Sequence, residues 1–494
     1  MLNRRHLSHI ALNISGMVLP MLVGLAVVPG LIHRLGQDRF GTLTLAWSLV
    51  GYFGLLDLGM GKAITQYLSQ QDAAGMPSHD QAAMARVARR LMWMLGTGWA
   101  AALLAATPWI TTALKVPVEI RTETPTAWMI LAAAVPFLMW STCCAGVLEA
   151  RSRFVAVNSV RIPAGVASFC LPWLVALYTV DLRALMASLL LMRIATALIY
   201  AWVARGEFVG PKQETPADGL NTLLRFGGWL TVSNLVSPLL AYFDRFAIAA
   251  LLSVAAVTHY TVPFDVLYRL PMIPLAMLGV LFPLLARSHT STDIASSTSP
   301  ALVKSATCLL VAIWLPGMFL LATVGPLLLS WWIGPNLAKS STPVWLWIAV
   351  GIVVNGFAHI AHTLLQSASR TDLIAKVHLI ELLPYSIALW WAVLHFGLVG
   401  AAVVWTLRVC VDTLLLYLCA ICLFPIAKNS LLQALLWATM SGIALTIIGF
   451  LESSNQWFSL GLTTSPSIYL GLMLAGALAW CGYHLYTIFV QNET

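Results

Sequence analysis

The chain alternates long apolar runs with short polar breaks. A helix that crosses the hydrocarbon core of a membrane needs about 20 mostly apolar residues, and about 14 runs reach that length. The pattern therefore predicts an all-α polytopic membrane protein with about 14 transmembrane helices. They lie near residues 10–33, 41–67, 86–108, 127–149, 155–178, 184–204, 222–252, 257–286, 301–332, 343–368, 373–395, 398–424, 430–451 and 467–490.

Two polar turns indicate an internal duplication. HRLGQDRFGTL (33–43) separates the first two spans, and LLSVAAVTHYTV (251–262) separates spans seven and eight. A proline lies midway in the helix before each turn, with an asparagine upstream of it. The six-span offset predicts two pseudo-symmetric, parallel repeats. We expect an N-terminal six-helix lobe at 1–204, a cytoplasmic linker at 205–221, a C-terminal six-helix lobe at 222–424 and two extra helices at 425–494.

A shorter break, HFGLVG (395–400), separates spans eleven and twelve, because its glycines allow a tight turn. Basic residues then orient the helices. Twelve flank the side that holds the N-terminus, and six flank the other: Arg34, Arg39, Lys115, Arg121, Arg183 and Lys339. Positive residues accumulate on the cytoplasmic side of membrane proteins. Both termini are therefore predicted to be cytoplasmic.

Composition agrees with the membrane class. The chain is 60% hydrophobic and 9% charged, whereas soluble domains carry roughly 25% charged residues. The net charge of +8 comes mostly from residues that flank the spans, so no nucleic acid partner is expected. No phosphate-loop, GxSxG or HExxH motif is present. These features predict that the chain is not an enzyme, that its function takes place within the membrane, and that it needs no cofactor.

Ionisable residues inside the predicted spans are the candidate functional residues. A charge at bilayer depth costs roughly 2.5–3.5 kcal/mol on insertion scales, so such groups tend to face a bundle interior or a watery cavity. The deep bases are Lys62, Arg161, Arg193, Arg245, Arg269 and Arg408, and the deep acids include Asp57, Asp244, Asp265 and Glu381.

Spacing predicts how some of these charges pair. Asp265–Arg269 and Arg408–Asp412 are each four residues apart and could bridge along one helix face. Arg161 and Arg193 have no nearby acid in the sequence, so they snorkel, pair across helices or face a cavity. Asp244 and Arg245 are adjacent and cannot face each other on a helix. We therefore expect Arg245 to meet Asp265 at equal depth on the next helix.

Two other features give weaker evidence of a functional site. His359 and His362 are three residues apart, but no nearby Cys or acid completes a metal site, so interhelix hydrogen bonding is favoured and no metal is predicted. Glu381 precedes a proline by three residues and could serve as a proton site or as a contact between helices.

Three stretches resemble the polysaccharide-unit flippases of the multidrug/oligosaccharidyl-lipid/polysaccharide exporter superfamily. The first joins VVPGLIHRLGQDRFGTLTLAW (27–47) to GYFGLLDLGMGKAITQYLSQ (51–70). The second, LRFGGWLTVSNLVSPLLAYFDRFAIAALLSVAAVTHYTVPFDVLYRL (224–270), is similar to the helix seven and eight hairpin of that family. The third comprises LLQSASRTDLIAKVHLIELLPYSIALW (364–390) and GLVGAAVVWTLRVCVDTLLL (397–416).

This resemblance implies two six-helix lobes around a central cavity that opens alternately to each side. The six deep bases would hold the diphosphate and acidic sugars of a polyprenyl-diphosphate-linked oligosaccharide, such as an O-antigen, capsule or exopolysaccharide repeat unit. The four acids would couple transport to an ion, H+ or Na+, or would be structural. Membrane lipids, a glycan polymerase and glycosyltransferases are the implied partners, and the bacterial inner membrane is the implied location.

Two alternatives stay open at this stage. A multidrug or metabolite antiporter of the same superfamily predicts an aromatic, acid-dominated cavity, whereas the deep charges here are mostly basic. A membrane enzyme of glycan assembly needs acids on an outer loop, where only Asp38, Glu119 and Glu123 are candidates.

Overall fold

The described part of the chain is helical and contains no strand. The structure is a computed structural model, and it describes residues 4–55, 61, 64–65, 67–68, 78–209, 240, 242–275, 278, 295–368, 370–453, 476 and 480. Residues 242–251 are helical. The other principal helices are α1 (Arg4–Leu55), α2 (Ser78–Ala113), α3 (Thr124–Ala132), α4 (Val135–Ala150), α5 (Phe154–Ala176), α6 (Leu182–Val203), α7 (Val254–Leu267), α8 (Ala295–Leu309), α9 (Leu315–Ile333), α10 (Pro335–Ser367), α11 (Thr371–Leu423) and α12 (Lys428–Ser453).

Nine stretches of the described residues are helical, long and apolar enough to cross a membrane. They are Val18–Gly51, Asp80–Ala113, Thr124–Ala150, Phe154–Ala176, Leu182–Val203, Pro300–Ile333, Pro335–Ser367, Asp372–Leu423 and Pro425–Ile447. Their outward faces carry large apolar side chains, including Leu191 at 65% exposure and Leu383 at 69%. Exposed apolar faces of this kind suit lipid rather than water, so the chain is a multi-pass membrane protein.

Two glycines break the longest helices where the sequence predicts turns. Gly36 in α1 has φ 71° and Gly397 in α11 has φ 60°. This region favours glycine, because a Cβ would clash with the backbone there. Each of these helices therefore has a first and a second arm joined at its glycine. The predicted turns at 33–43 and 395–400 are confirmed.

The predicted span 257–286 is wrong in part. The helix α7 ends at Leu267, and residues 268–271 form a turn before helix resumes at 272–275. Pro271 explains the break, since a proline cannot donate a backbone hydrogen bond and its ring clashes with the carbonyl four residues earlier. The span predicted at 467–490 lies outside the described residues apart from positions 476 and 480, so the count of 14 and the cytoplasmic termini stay predictions.

Contacts divide the chain into two units, Met1–Thr258 and His259–Thr494. In the first unit, α4 is buried among α1, α2, α5 and α6. In the second unit, α10 is the most enclosed span and contacts α8, α9, α11 and α12. Much of the predicted linker 205–221 lies outside the described residues, so the predicted lobe boundaries stay predictions.

Tryptophans packed on glycines hold α9 and its neighbours against α10. Trp345 Nε1 donates to Leu321 O at 3.3 Å, and its indole ring lies where a Cβ on Gly325 would project. Trp314 makes the same arrangement with Val353 O and Gly356. The helices approach closely here because neither glycine has a side chain, as is common in membrane bundles.

We predict that Gly325→Ala destabilises the protein, because the added methyl group overlaps the Trp345 indole. Overpacking of this kind typically costs about 1–3 kcal/mol. Gly317→Ala on the same helix is the matched control, since nothing lies within 4 Å of a Cβ at that position. Thermal unfolding of both variants in detergent should give a lower midpoint for Gly325→Ala only. Equal midpoints would show that the close packing is unimportant.

Candidate functional site

Three groups of charged residues within the described helices contain candidate residues predicted from the sequence. Two belong to the first unit: one lies on α4, α5 and α6, and the other lies where residues 242–258 meet the second arm of α1. The third belongs to the second unit and lies on α10 and α11. Asp57 and Lys62 lie outside the described residues, and their predicted roles stay predictions.

Arg193 is a deep cation that no described residue offsets. It lies at the middle of α6, eleven residues after Leu182 and ten before Val203. Residues three and four positions away on a helix share its face, and Leu189, Thr196 and Ala197 are all buried. The half-buried Arg193 side chain therefore points toward the interior of its unit. Among the described residues, no acid or hydrogen-bond acceptor meets its guanidinium.

The start of α6 is fixed by its own capping group. Asp181 is the N-cap, and its Oδ1 accepts the backbone N–H of Arg183 at 2.8 Å. The Arg183 guanidinium binds the same carboxylate, and these hydrogen bonds lower the pKa of Asp181 below its usual value. A capping carboxylate also interacts favourably with the helix dipole. The helix start is thereby defined, and the depth of Arg193 along α6 follows from it.

Arg161 has an acidic partner, contrary to the reading that no acid lies nearby in the sequence. Its Nη2 lies 2.6 Å from Glu149 Oε1, with the two side chains 50% and 30% exposed. The pair forms because α4 and α5 are joined by the short turn 151–153, which brings the end of one helix beside the start of the next. Of the options left open by the sequence, pairing across helices is the one observed.

Tyr200 connects this pair to the face of Arg193. Its hydroxyl donates to Val157 O at 3.1 Å and lies beside the Arg161 guanidinium. Tyr200 and Arg193 are seven residues apart on α6, which places them on one face about 10 Å apart along the axis. Two guanidinium groups and a phenol of α5 and α6 therefore occur near one another, together with the Glu149 carboxylate of α4.

Arg245 is buried against α1. Only 4% of the residue is exposed, and its Nη1 donates to Ser48 Oγ at 2.7 Å. The Tyr242 ring lies 5.0 Å from the guanidinium carbon. Asp244 is fully buried, and its Oδ1 accepts the backbone N–H of Arg245. In this structure Arg245 contacts a neighbouring helix, so its predicted role in a cavity and its predicted pairing with Asp265 both stay predictions.

Small residues allow residues 242–258 to approach α1 closely. The carbonyl oxygen of Val254 occupies the space that a Cβ on Gly41 would need. Thr258 Oγ1 donates to Gln37 O at 2.8 Å, beside the turn at Gly36. Contacts at 37 with 258, 41 with 254 and 48 with 245 run in opposite directions along the chain, so the two segments are antiparallel.

Lys115 makes contacts that the sequence pattern does not predict. Its Nζ donates to Leu251 O at 2.5 Å, and its backbone N–H donates to Ala249 O at 3.2 Å. These carbonyls end the helix at 242–251, and a lysine at a helix C-terminus both satisfies them and complements the helix dipole. In the sequence Lys115 was only one of the bases that flank a span, since its partner is more than a hundred residues away.

Asp265 and Arg269 do not form the predicted bridge along one helix face. The helix α7 ends at Leu267, before the second member of the pair. Arg269 is consequently exposed in the turn, while Asp265 is half-buried. No ion pair joins these two described residues, because the turn at 268–271 removes the regular spacing that would align them.

The charges on α11 also pair differently from the prediction. Arg408 Nη1 lies 3.6 Å from Glu381 Oε2, and Asp412 Oδ1 lies 3.4 Å from His378 Nε2. The predicted Arg408–Asp412 bridge within one helix face is absent between these described residues. The two arms of α11 fold back on each other at Gly397, so each side chain meets a partner on the opposite arm.

His359 and His362 of α10 lie near the same group. Their ring centroids are 6.2 Å apart, and Asp412 influences both rings electrostatically. No group of three or more potential metal ligands occurs among the described residues. The arrangement here is a mixed set of bases and acids within a helix bundle.

Comparison with known proteins identifies the family. The model of the family described as "Polysaccharide biosynthesis protein" matches residues 7–289, more than half of the chain. The chain belongs to this family. A Shigella flexneri relative named "Putative O-antigen transporter" is 27% identical over 408 residues, which cover 82% of this chain and 95% of that protein.

Solved structures give the fold of this polysaccharide biosynthesis protein. The structure titled "Lipid II flippase MurJ, inward closed conformation" aligns with 91% of this chain and 99% of its own, with a TM-score of 0.65 and 12% identity. An inward-facing multidrug resistance MATE family transporter of the MOP superfamily aligns with 88% of this chain and 98% of its own, with a TM-score of 0.62 and 13% identity. The predicted all-helical fold is therefore confirmed, and the relative and both of these structures are named as transporters or flippases.

We predict that Arg408→Ala destabilises the polysaccharide biosynthesis protein, because it leaves the Glu381 carboxylate buried without its ion-pair partner. Breaking a buried pair in this way costs about 3 kcal/mol. The double variant Glu381→Gln/Arg408→Ala should recover part of the loss, since no buried charge is then stranded. Unfolding midpoints in detergent measure both effects.

The control for this pair is Arg370→Ala. Arg370 begins the same helix but forms an exposed pair with Asp372, so its removal should change the midpoint little. A double variant that is no more stable than Arg408→Ala alone would contradict the ion-pair interpretation.

Proposed function

We propose that the chain is a flippase that moves a polyprenyl-diphosphate-linked oligosaccharide across the bacterial inner membrane by alternating access. The substrate is an O-antigen, capsule or exopolysaccharide repeat unit. Its polar head cannot cross hydrocarbon unaided, because desolvation of unpaired polar groups is costly. A cationic, hydrated path through the protein lowers that barrier, while the polyprenyl tail stays in lipid.

The observation that carries this proposal is the uncompensated charge of Arg193. A guanidinium at the centre of a span costs roughly 2.5–3.5 kcal/mol on insertion scales, and no described residue offsets it. An anionic ligand would supply the missing partner. Arginine suits a diphosphate because its planar fork binds two phosphate oxygens at once.

Arg161 extends the same chemistry along α5. Its pair with Glu149 is partly exposed, so an anionic head group could displace the carboxylate without burying a charge alone. Tyr200 lies beside this guanidinium and offers a hydroxyl to phosphate or sugar. The roles of Lys62, Arg245, Arg269 and Arg408 in the substrate path belong to the same proposal.

The chemistry of the substrate implies its partners. Glycosyltransferases on the cytoplasmic side would assemble the lipid-linked unit, and a polymerase on the outer side would consume it. A coupling ion, H+ or Na+, would drive net movement, with Asp57, Asp244, Asp265 and Glu381 as candidate coupling or structural acids.

We predict that Arg193→Ala lowers surface glycan display by about 10- to 100-fold. This range corresponds to the loss of one charge-assisted hydrogen bond, about 1.5–3 kcal/mol. Arg193→Lys should give an intermediate value, because lysine keeps the charge but cannot bind in a bidentate way. The assay complements a strain that lacks the gene and measures both surface glycan and accumulated lipid-linked intermediate, at equal membrane levels of each variant.

Arg183→Ala is the matched control on the same helix, since Arg183 is exposed and bound to its neighbour Asp181. It should complement fully. Arg161→Ala and Arg245→Ala should also impair display, but Arg245 supports packing and is the less specific probe. Normal display from Arg193→Ala would exclude the cationic path, and a deletion strain without accumulated lipid-linked intermediate would exclude the flippase function itself.

A further inference from the structure

The exposed side of α6 carries an apolar stripe that ends at a tryptophan. Leu191, Leu198 and Trp202 are spaced by seven and four residues, so they lie on one helix face, and each is 64% to 65% exposed. The stripe rises about 16 Å along the axis at 1.5 Å per residue. This length is about half of the roughly 30 Å hydrocarbon core, so the stripe matches one leaflet of a bilayer.

An arginine lies at the end of this stripe. Arg205 begins a short 3-10 helix, Arg205–Phe208, directly after α6. Its side chain is exposed, and its guanidinium carbon lies 5.5 Å from the Trp202 ring centroid. Tryptophan is enriched where hydrocarbon meets water, and an arginine beside it extends its charge toward the head groups. Arg205 therefore lies at the depth of lipid phosphates.

Two further arginines converge on a carboxylate close to Arg205. Arg151 Nε lies 3.2 Å from Glu207 Oε2, and Arg153 Nη1 lies 3.3 Å from Glu207 Oε1. Both arginines come from the turn that joins α4 to α5, and Glu207 follows Arg205 by two residues. Two guanidinium groups thus hold the two oxygens of one anion, an arrangement that also suits phosphate oxygens.

Positive charge remains in this group after the internal pairing. We define the α6 rim as Arg151, Arg153, Trp202, Arg205 and Glu207. Its three arginines oppose one carboxylate, so two positive charges are left over on these side chains. The Arg153 side chain is 45% exposed although it contacts Glu207. Arg153 and Arg205 can therefore bind an outside anion while Arg151 keeps its contact with Glu207.

Packing on α2 and α4 fixes the 3-10 helix that carries Arg205 and Glu207. Arg86 Nη1 donates to Phe208 O at 3.1 Å. The Arg89 guanidinium carbon lies 4.4 Å from the Phe208 ring centroid and 5.1 Å from that of Trp140. Phe208 itself is buried. The α6 rim is therefore preorganised, which lowers the entropic cost of binding a ligand.

The surroundings of the α6 rim suit a lipid rather than a soluble anion. A soluble phosphate needs only the cations, whereas the rim continues into the apolar stripe on α6. Val155 and Val209 add exposed apolar surface near the rim, at 56% and 75% exposure. The surplus positive charge favours a head group with a net negative charge, since the ammonium of a zwitterionic head group would be repelled.

This surface differs from the proposed substrate path. Arg193 lies on α6 too, but its neighbours Leu189 and Thr196 are buried, so it points toward the interior of the first unit. The stripe and the α6 rim are on the exposed side of the helix. A ligand here would contact the protein from the bilayer.

We propose that the α6 rim binds the phosphate of an anionic phospholipid. Arg205 and Arg153 bind the phosphate oxygens, and one acyl chain lies along the stripe from Trp202 to Leu191. Glu207 competes with the lipid for Arg153 and limits its affinity. The site depends on the first unit alone and stands whether or not the chain is a flippase.

Native mass spectrometry of the full chain in detergent tests the proposal. The chain is titrated with phosphatidylglycerol and, separately, with phosphatidylcholine that has the same acyl chains. Phosphatidylglycerol should bind more tightly, and excess inorganic phosphate should leave it bound, because the acyl chain contributes to affinity. Equal binding of the two lipids would overturn the proposal. Displacement by inorganic phosphate would also overturn it, since the site would then be one for a soluble anion.

Two arginine variants locate the bound lipid. Arg205→Gln and Arg153→Gln should each weaken phosphatidylglycerol binding about 5-fold, the effect of one arginine near a charged membrane surface. The matched control is Arg183→Gln, because Arg183 is an exposed arginine at the opposite end of α6 and pairs with Asp181. Unchanged binding in both rim variants, or an equal loss in Arg183→Gln, would contradict a site at the α6 rim.

Glu207→Gln separates lipid binding from a structural role of the rim. It should bind phosphatidylglycerol more tightly than wild type, because Arg151 and Arg153 lose their internal anion. A purely structural ion pair predicts no such gain. Unfolding midpoints without added lipid show whether each variant is folded, and the exposed Arg205→Gln remains a valid test if Glu207→Gln is unstable. Weaker binding by a normally folded Glu207→Gln would overturn the proposed competition.

Discussion

A charge inside hydrocarbon must be paired, hydrated or neutralised, and this constraint accounts for the contacts of Arg161, Arg245 and Arg408 within the helices. Lipid offers no hydrogen bonds, so the backbone satisfies itself by forming helices, and each ionisable side chain must then find its own compensation. Arg245 donates a hydrogen bond to Ser48 on α1. Arg408 forms an ion pair with Glu381 across the α11 hairpin, and Arg161 forms one with Glu149 across a short turn. Arg193 alone among these described arginines has no such partner.

The two units meet this constraint in different ways. In the first unit, the deep charged residues of α5 and α6 are the bases Arg161 and Arg193. The Arg161–Glu149 pair is also partly exposed. In the second unit, Arg408 pairs with Glu381, and His378 lies beside Asp412. The first arrangement suits the anionic ligand proposed above.

Sequence patterns predicted the features that depend on local rules. The apolar runs predicted most helices to within a few residues, because the hydrocarbon thickness sets the required length. The turns near Gly36 and Gly397 were predictable because glycine tolerates their backbone conformation. The break after Leu267 could also have been anticipated, since Pro271 lies four residues later and removes the backbone donor that would continue the helix.

Side-chain partners were much harder to predict. Local spacing suggested Arg408–Asp412, yet the helix hairpin brought Glu381 to Arg408 and His378 to Asp412. Lys115 meets carbonyls at residues 249 and 251, far away in the sequence. Such pairings depend on how each helix is rotated and how closely two helices approach, and a single sequence carries no direct record of either. The depth of a charge was predictable, but its partner was not.

Reconstitution tests the central claim most directly. Purified chain is placed in vesicles that contain a fluorescent polyprenyl-diphosphate-linked oligosaccharide, and a membrane-impermeant reagent added outside reports which lipids reach the outer leaflet. The account predicts that wild-type protein makes nearly all of the labelled lipid accessible, while Arg193→Ala leaves accessibility near that of protein-free vesicles. Equal accessibility with both proteins, or none above the protein-free level with the wild type, would contradict it.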